Sequence, residues 1–395
     1  MLKSPYTPGA GIRPRALAGR SALLEDARGA LSGVRMSGEP ASPITVFTGS
    51  RGLGKTVLLH AIREQAEQAG FAAAHIALDK SPHALQRIAQ QVGRAVAGAA
   101  GSKTMWERIG ERLAQFSVEL SAAGMVKLAS SWRADDAPPS VVRDQLAEVV
   151  VEAADLARAH SGAGLLLTLD EIQDCPSGQL AGIAHLIQDA GAEEAPLAVF
   201  IAGLAHTPET LMAAASFTER FHYVELERLD PGAAHLALVN PAAEAGVTWA
   251  PDAARLVLDE AAGSPYLIQL LGHTTWQAAA PIGPSRLEPE HARTGLEQAQ
   301  RTLNQGLFRG RWLLASPGER EFLAAVAGCL TGDQAAAMNE VAALLGKTTK
   351  QLSTVRQRLI DKGMVEGRGH NRIGFTMPGF ERFVLQQDPD AGTTQ

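Results

Sequence analysis

Hydrophobic and polar positions follow two kinds of pattern through the first part of the chain. Runs rich in β-branched or apolar residues at 44–48, 72–78 and 222–226 predict strands, and stretches with helical spacing separate them. Two further runs, at 165–169 and 197–202, are apolar almost throughout, which is typical of strands buried on both faces of a sheet. The alternation of strand and helix predicts an α/β fold with a parallel sheet.

Helical segments are predicted before and between these strands. A short helical pattern covers 17–31 and ends near Gly33, and a helix from Thr56 stops at Gly70. Residues 82–160 are mostly helical by pattern, apart from a polar stretch around 132–140 that predicts a loop. We interpret 82–160 as a helical insertion in the α/β fold.

The rest of the chain has a different pattern. From Pro231 to about Trp312 the spacing is wholly helical, which predicts an all-α domain. Beyond it, the pattern predicts three helices and a glycine-rich hairpin, at 317–327, 338–345, 348–362 and 362–376. This order of three helices and a hairpin predicts a separate C-terminal domain.

Composition narrows the class of protein. With 395 residues, 46% of them hydrophobic, the chain can bury more than one core. The formal net charge of −6 argues against a nucleic-acid coat protein, and two cysteines, Cys175 and Cys329, argue against a disulfide framework or a cysteine-rich metal site. No apolar run approaches the roughly 20 residues that span a bilayer, and the N-terminus lacks an apolar signal segment. We therefore predict a cytoplasmic protein without membrane association.

A glycine-rich phosphate-binding motif lies between the first strand and the following helix. Residues 49–56 fit the pattern GxxxxGK[ST]. The glycines let backbone N–H groups point at phosphate oxygens, the helix presents its positive N-terminal end, Lys55 reaches the β and γ phosphates, and Thr56 supplies a hydroxyl to Mg²⁺. The residues predicted to bind nucleotide here are Gly49, Ser50, Arg51, Gly52, Leu53, Gly54, Lys55, Thr56 and Val57.

Two carboxylates end the apolar run at 165–169, as in a Walker B element. Asp170 is predicted to hold Mg²⁺ and Glu171 to orient and deprotonate the attacking water, because phosphoryl transfer needs little beyond positioning and charge stabilisation. A P-loop kinase is the weaker alternative, since the adjacent Asp-Glu pair suits water activation. The sequence thus predicts an ATPase with ATP and Mg²⁺ as ligands.

These motifs, in this order, resemble the AAA+ and STAND-type ATPases, in particular the archaeal-ATPase and initiator-like group. The resemblance also rests on Leu-Ala-Gly-Arg ending at Arg20, on Asp-Glu-Ile-Gln at 170–173, on Ser-Phe-Thr-Glu-Arg ending at Arg220, and on Gly-Ser-Pro ending at Pro265. It implies that Arg20 and Pro265 contact the nucleotide. It further implies a catalytic arginine finger at Arg220, with a surface or salt-bridge role as the open alternative.

The resemblance also implies a division of the chain. The expected segments are an N-terminal strap (1–40), a P-loop ATPase domain (41–229), a helical lid (230–313), a winged-helix domain (314–388) and a disordered tail (389–395). Two departures from the family pattern argue against fast, processive hydrolysis. The strand at 197–202 is not followed by the usual sensor asparagine, for which His206 or Thr207 is a candidate substitute, and no arginine stands beside Gly263 in the lid.

The third C-terminal helix is predicted to be a DNA-recognition helix. Leu352, Val355 and Leu359 recur at helical spacing and should face the core. Between 347 and 372, seven basic and two acidic residues give a local charge of +5 in an otherwise acidic chain. The residues predicted to contact DNA, from the helix and the hairpin wing, are Lys347, Lys350, Thr354, Gln357, Arg358, Arg368 and Arg372.

Two functions follow from this pattern. In the first, ATP controls a winged-helix module that binds double-stranded DNA. In the second, the protein is a STAND-type signalling switch with slow or no turnover, and its winged helix contacts protein. The partners implied are ATP and DNA, while a homo-oligomer and another protein partner both stay open.

Overall fold

The computed structural model describes residues 1–9, 11, 12, 14, 17–100, 139–332 and 334–387. The chain forms two compact units, each with its own hydrophobic core. The first, here called the α/β unit, comprises Arg20–Gly49 and Lys55–Leu226. The second, here called the helical unit, comprises Met1–Gly19, Ser50–Gly54 and Glu227–Gln395.

A five-stranded parallel sheet forms the centre of the α/β unit. Its strand order is β2-β3-β4-β1-β5, and every pairing is parallel. All residues of β3 and β4 are buried, as the apolar runs predicted for central strands. The strands are β1 Thr45–Thr48, β2 Ala72–Ala77, β3 Leu165–Asp170, β4 Leu197–Ala202 and β5 His222–Glu225. The predicted α/β fold with a parallel sheet is confirmed.

Helices surround this sheet. Those described are α1 Ser21–Ser37, α2 Lys55–Gln68, α3 Ala84–Ala100, α4 Pro139–Ser161, α5 Ser177–Ala192 and α6 Thr207–Ala214, with 3₁₀ turns at Ile172–Asp174 and Ser216–Arg220. Of the predicted insertion, 101–138 lies outside the described residues, as does most of the predicted loop at 132–140. The described parts are helical, and they pack through buried residues such as Leu85, Ile88 and Leu146.

The first helix ends later than the sequence predicted. It continues through Gly33 to Ser37, and Gly38 closes it with a left-handed backbone (φ 80°) whose N–H donates to the Val34 carbonyl. A left-handed residue ends a helix at little cost when it is glycine. Gly33 keeps a helical backbone inside this helix. A glycine there lowers helix stability only modestly relative to alanine.

The helical unit begins with a helical layer that holds the N-terminal segment. Its helices are α7 Pro231–Glu244, α8 Pro251–Ala261, α9 Pro265–Ala279, α10 Pro289–Leu303 and α11 Arg309–Leu314, with a π-helical turn at Asn304–Phe308. The buried Tyr6 ring lies against Gly272, and its hydroxyl donates to the Leu238 carbonyl at 2.5 Å. Trp249 Nε1–H donates to the same hydroxyl at 2.9 Å. These bonds attach the N-terminal segment to this layer.

Two short strands lie in this layer, which the sequence predicted to be wholly helical. They are β6 Val247–Trp249 and β7 Ser285–Leu287, paired in parallel. Each has three residues, which is too few for a visible alternation of apolar and polar positions.

The C-terminal part of the helical unit combines helices with a three-stranded antiparallel sheet of order β8-β10-β9. Its elements are α12 Pro317–Gly328, β8 Ala336–Ala337, α13 Met338–Leu344, α14 Thr349–Asp361, β9 Val365–Gly367, β10 Arg372–Phe375 and α15 Phe380–Gln387. Thr348 and Gln351 form a capping box that starts α14. Strands β9 and β10 form the predicted hairpin, while β8 and α15 were not predicted. The predicted disordered tail lies outside the described residues.

Among the described residues, no helix is both long enough and apolar enough to cross a membrane.

Candidate active site

The predicted phosphate-binding loop follows β1 and leads into α2. Gly49, Gly52 and Gly54 have φ values of 140°, 87° and 87°, in the region that only glycine adopts without strain. Lys55 is the first residue of α2 and is only 7% exposed. Its Nζ donates to the Gly49 carbonyl at 2.8 Å. The lysine is therefore held at the base of the glycine turn by the loop's own backbone.

The two predicted magnesium ligands contact each other. Thr56 Oγ1, on α2, donates to Asp170 Oδ2, at the end of β3, at 2.6 Å. Asp170 is 2% exposed. Burial raises the pKa of its carboxyl group, while the hydrogen bond from Thr56 acts in the opposite direction.

This donor pair fits a hard divalent cation. A hydroxyl and a carboxylate are the oxygen ligands that Mg²⁺ takes beside a nucleotide, whose phosphates and water complete the shell. In the part of the chain that the structure describes, no group of three or more His, Cys, Asp or Glu forms a metal cage. Thr56 and Asp170 would therefore share a cation with the nucleotide.

Glu171 follows in a strained backbone conformation. Its φ of 52° and ψ of 41° are left-handed, which is uncommon for a residue other than glycine. Its N–H donates to Asp170 Oδ1 at 2.9 Å, and its carbonyl accepts from the Asp174 N–H at 2.9 Å. The turn thus separates the two carboxylates: Asp170 stays buried beside Thr56, and Glu171 is half-buried.

The end of β4 lies next to this pair, because β4 is between β3 and β1 in the sheet. Gln173 donates through Nε2 to Glu171 Oε2, and its Oε1 accepts from the Leu204 N–H at 3.0 Å. Thr207 Oγ1 and His206 Nδ1 are buried and have no hydrogen-bond partner in the described structure. Either side chain could still take a polar partner, so the predicted sensor substitutes remain candidates.

The remaining predicted residues of the α/β unit are Val57, Arg20 and Arg220. Val57 is half-buried on α2, and Arg20 is the N-cap residue of α1. Arg220 ends the 3₁₀ turn before β5 and is exposed, with no hydrogen bond or ion pair to any residue that the structure describes. The roles assigned to Arg20 and Arg220 stay predictions.

The centre of the phosphate-binding loop, Ser50–Gly54, belongs to the helical unit. Ser50 donates its hydroxyl to a carboxylate oxygen of Glu366, and the Tyr266 N–H donates to the Gly52 carbonyl at 3.4 Å. Leu53 is buried and Arg51 is exposed. Pro265 is the first residue of α9, where its missing N–H costs nothing.

The predicted DNA-contacting residues of α14 and its N-terminal turn are exposed. They are Lys347, Lys350, Thr354, Gln357 and Arg358. The same helix face carries Asp361, whose Oδ1 accepts from Gln357 Nε2 at 2.9 Å. Leu352 and Leu359 are buried on the opposite face, as predicted, and Val355 is half-buried.

The two wing arginines are engaged within the domain. Arg368 forms an ion pair with Glu366, and Arg372 donates to Thr331 Oγ1 at 2.9 Å and to the Ala335 carbonyl at 3.0 Å. Both side chains are half-buried. Arg372, which was predicted to contact DNA, is half-buried rather than exposed, because Ala335, next to β8, accepts its hydrogen bond; its contact with DNA stays a prediction.

Gln173 ends the Asp-Glu-Ile-Gln motif at 170–173, but no role was predicted for it. Its position two residues after Glu171 was visible, but its second partner, Leu204, lies 31 residues further along the chain.

Comparison with protein families matches two parts of the chain. Residues 16–201 match the family described as AAA ATPase domain. Residues 305–384 match a family described as Domain of unknown function (DUF8462). Comparison with curated proteins gives no match.

Two solved structures illustrate the similarity in fold. A Walker-type ATPase of Pyrococcus abyssi has a TM-score of 0.61 and 13% sequence identity, with 94% of this chain and 97% of that chain covered. The ORC2 protein of Aeropyrum pernix, in ADPNP-ADP complexes, has a TM-score of 0.59 and 13% identity, with 97% and 96% covered. At these identities the similarity concerns the fold alone, which is that of an AAA+ P-loop ATPase.

Proposed function

We propose that the chain binds ATP with Mg²⁺ and hydrolyses it, from the premise that residues 16–201 match the family described as AAA ATPase domain. One observation carries the proposal: Thr56 Oγ1 lies 2.6 Å from Asp170 Oδ2. The contact joins the phosphate-binding helix to the strand that ends in two carboxylates. A chance glycine-rich turn would not bring a hydroxyl to a buried aspartate 114 residues away.

Each residue has a separate task in this proposal. Backbone N–H groups of the glycine turn and the N-terminus of α2 receive the phosphates, and Lys55 neutralises their charge. Thr56 and Asp170 hold Mg²⁺, which when bound offsets charge on the phosphate oxygens. Glu171 accepts a proton from the attacking water, because its carboxylate is half-buried whereas that of Asp170 is buried beside Thr56.

The test separates binding from chemistry. Glu171→Gln should bind ATP-Mg²⁺ normally in calorimetry and release phosphate roughly 10²- to 10⁴-fold more slowly, because it loses one general base. Lys55→Ala should lose ATP binding. Glu193→Gln, an exposed glutamate of the same unit, is the matched control and should behave as the unmodified protein. Unchanged phosphate release by Glu171→Gln would remove Glu171 from the catalytic role.

We propose further that the nucleotide state controls binding of duplex DNA by α14 and its N-terminal turn. The support is the exposed positive charge of Lys347, in the turn before α14, and of Lys350 and Arg358 on α14. Thr354 and Gln357 add hydrogen-bonding groups that reach base edges or phosphates. If DNA prefers the ATP-bound form, it must tighten ATP binding by the same factor.

Salt dependence tests the DNA proposal. Affinity for duplex DNA, measured by fluorescence anisotropy, should fall steeply with salt. The double variant Lys350→Ala/Arg358→Ala should make the log–log slope shallower by about two, because each lost phosphate contact removes about one released counterion. The control Arg293→Ala/Arg301→Ala removes two exposed cations from α10 of the same unit and should keep the original slope. Equal slopes for all three proteins would contradict DNA binding by α14.

A second candidate function rests on the charges that accompany this surface. Asp361 lies on the exposed face of α14, and Arg368 and Arg372 are already bonded within the domain. A surface with fewer available cations suits a protein partner in a STAND-type signalling switch. DNA affinity that is negligible at low salt, together with intact ATP binding, would favour this alternative.

A further inference from the structure

The Gln173 side chain connects Glu171 to the end of β4. Its amide uses both of its polar atoms: Nε2 donates to Glu171 Oε2, and Oε1 accepts from the Leu204 N–H at 3.0 Å. The backbone donor at Leu204 therefore sets which way the amide points. An amide in this orientation presents its donor, and not its acceptor, to the carboxylate.

The local turn brings Gln173 back towards Glu171. Glu171 has a left-handed backbone, and the 3₁₀ turn Ile172–Asp174 follows immediately. Its first bond runs from the Asp174 N–H to the Glu171 carbonyl. This reversal places the side chains of residues 171 and 173 on the same side of the turn. The strained φ at Glu171 is maintained by these bonds and by the bond to Asp170.

The Gln173 amide has room because the residue that follows β4, at position 203, is a glycine. A side-chain carbon built at Gly203 would lie 2.9 Å from Gln173 Oε1 and 2.7 Å from Ile172 Cγ2. The Gly203 N–H donates to the Phe47 carbonyl at 3.0 Å, so its backbone stays in register with β1. Glycine at this position leaves room for the amide beside a strand whose position is set by the sheet.

We propose that Gln173 is a positioning residue for Glu171: it holds Oε2 and thereby directs Oε1 to the attacking water. The role rests on the proposed ATP hydrolysis and concerns the same site. Gln173 brings an amide to the end of β4 from the 3₁₀ turn that follows β3. Gln173 thereby links Glu171 to β4. This strand lies between β1, which leads into the phosphate-binding loop, and β3, which ends at Asp170.

Glutamine suits this task chemically. Its amide is neutral, so it orients the carboxylate without neutralising it as a lysine would. Asparagine is one methylene shorter and would not span both partners. Glutamate has the same shape and would keep the acceptor for Leu204, but it would place an oxygen against Glu171 Oε2 and repel it.

The experiment uses the full chain and compares Gln173→Glu and Gln173→Asn with a matched control. The control is Gln179→Glu, because Gln179 is also half-buried and its Oε1 also accepts a backbone N–H, from Leu85 at 3.3 Å. Phosphate release and the Kd for ATP-Mg²⁺ are measured for each protein. Both Gln173 variants should lose about 10- to 100-fold in kcat with Kd changed less than about twofold, because a misplaced group lowers rate more than binding. The control should keep both values.

A double variant tests whether Gln173 acts through Glu171. In a Glu171→Gln background, Gln173→Asn should lower the residual turnover by less than about twofold, because residues that act as a unit are not additive. A full second loss, unchanged kcat in the single variants, or loss of ATP binding together with kcat would each overturn the positioning role. Absence of turnover in the unmodified protein would instead refute the proposed hydrolysis, and this role with it.

Discussion

Gly203 is a single position on which the geometry at the end of β4 depends. A side-chain carbon there would lie 2.2 Å from Thr207 Oγ1 as well as close to Ile172 and Gln173. Contacts under 3.0 Å force neighbours to move, and two of these neighbours, Thr207 and Ile172, are buried. A displacement of Gln173 would also disturb Glu171, because the two side chains are hydrogen-bonded to each other.

We expect Gly203→Ala to lower stability by about 1–3 kcal/mol, as overpacking of a filled site does, and to lower phosphate release through displacement of Gln173. Stability is measured by chemical denaturation and turnover by phosphate release. Gly191→Ala is the control, because a side-chain carbon there meets nothing within 4 Å. Equal stability of the two variants would show that the end of β4 relaxes freely.

At the scale of secondary-structure elements, two hydrogen-bonded histidines join three elements of the α/β unit. His60 lies on α2, His75 on β2 and Thr168 on β3. Thr168 Oγ1 donates to the Ala74 carbonyl, so it accepts from His75 Nδ1 at 3.0 Å, and His75 Nε2 then accepts from His60 Nε2 at 3.3 Å. This tautomer is assigned from the hydrogen-bond network. It requires His75 to be neutral.

Burial, followed by the nearby His60 and Arg63 charges, lowers the pKa of His75 from 6.5 to about 4. Between these pH values the unfolded chain binds a proton that the folded chain does not. Stability should therefore fall as the pH drops from 6.5 towards 4, with no further loss from this group below 4. The loss should be roughly 1–2 kcal/mol, since solvent screens part of the ring.

The measurement is chemical denaturation at several pH values between 4 and 7. His75→Gln removes the titrating group and should flatten this part of the stability curve. His185→Gln alters a histidine of the same unit that packs on Phe217 and should keep the slope. An identical pH dependence in His75→Gln and the unmodified protein would contradict the neutral His75 network.

For the molecule as a whole, Arg220 tests whether chains cooperate. It is exposed at the end of a 3₁₀ turn and has no partner among the described residues, which is compatible with a finger directed at a neighbouring chain's nucleotide. We expect turnover per chain to rise with protein concentration, and Arg220→Ala to remove that rise. Arg28→Ala, which alters an exposed arginine on α1 paired with Glu25, should keep it. Turnover independent of concentration would assign Arg220 to the surface of its own chain.

Much of the α/β fold and the core of the site could be predicted from sequence. Both faces of β3 and β4 are buried, so consecutive residues in these strands are nearly all apolar, and such a run can be recognised in the sequence. The phosphate-binding loop could be recognised because glycines at fixed offsets before a Lys-Thr pair encode one backbone shape. Both signals are local.

Other features depend on strand order and packing. No local pattern indicates that Gln173 contacts Leu204 or that Arg372 bonds to Ala335, next to β8. The spacing of apolar residues indicates which face of a helix or strand is buried, but it does not indicate which other element packs against that face. Strand order arises from packing between distant segments, so it decides which polar side chains meet where parallel strands end.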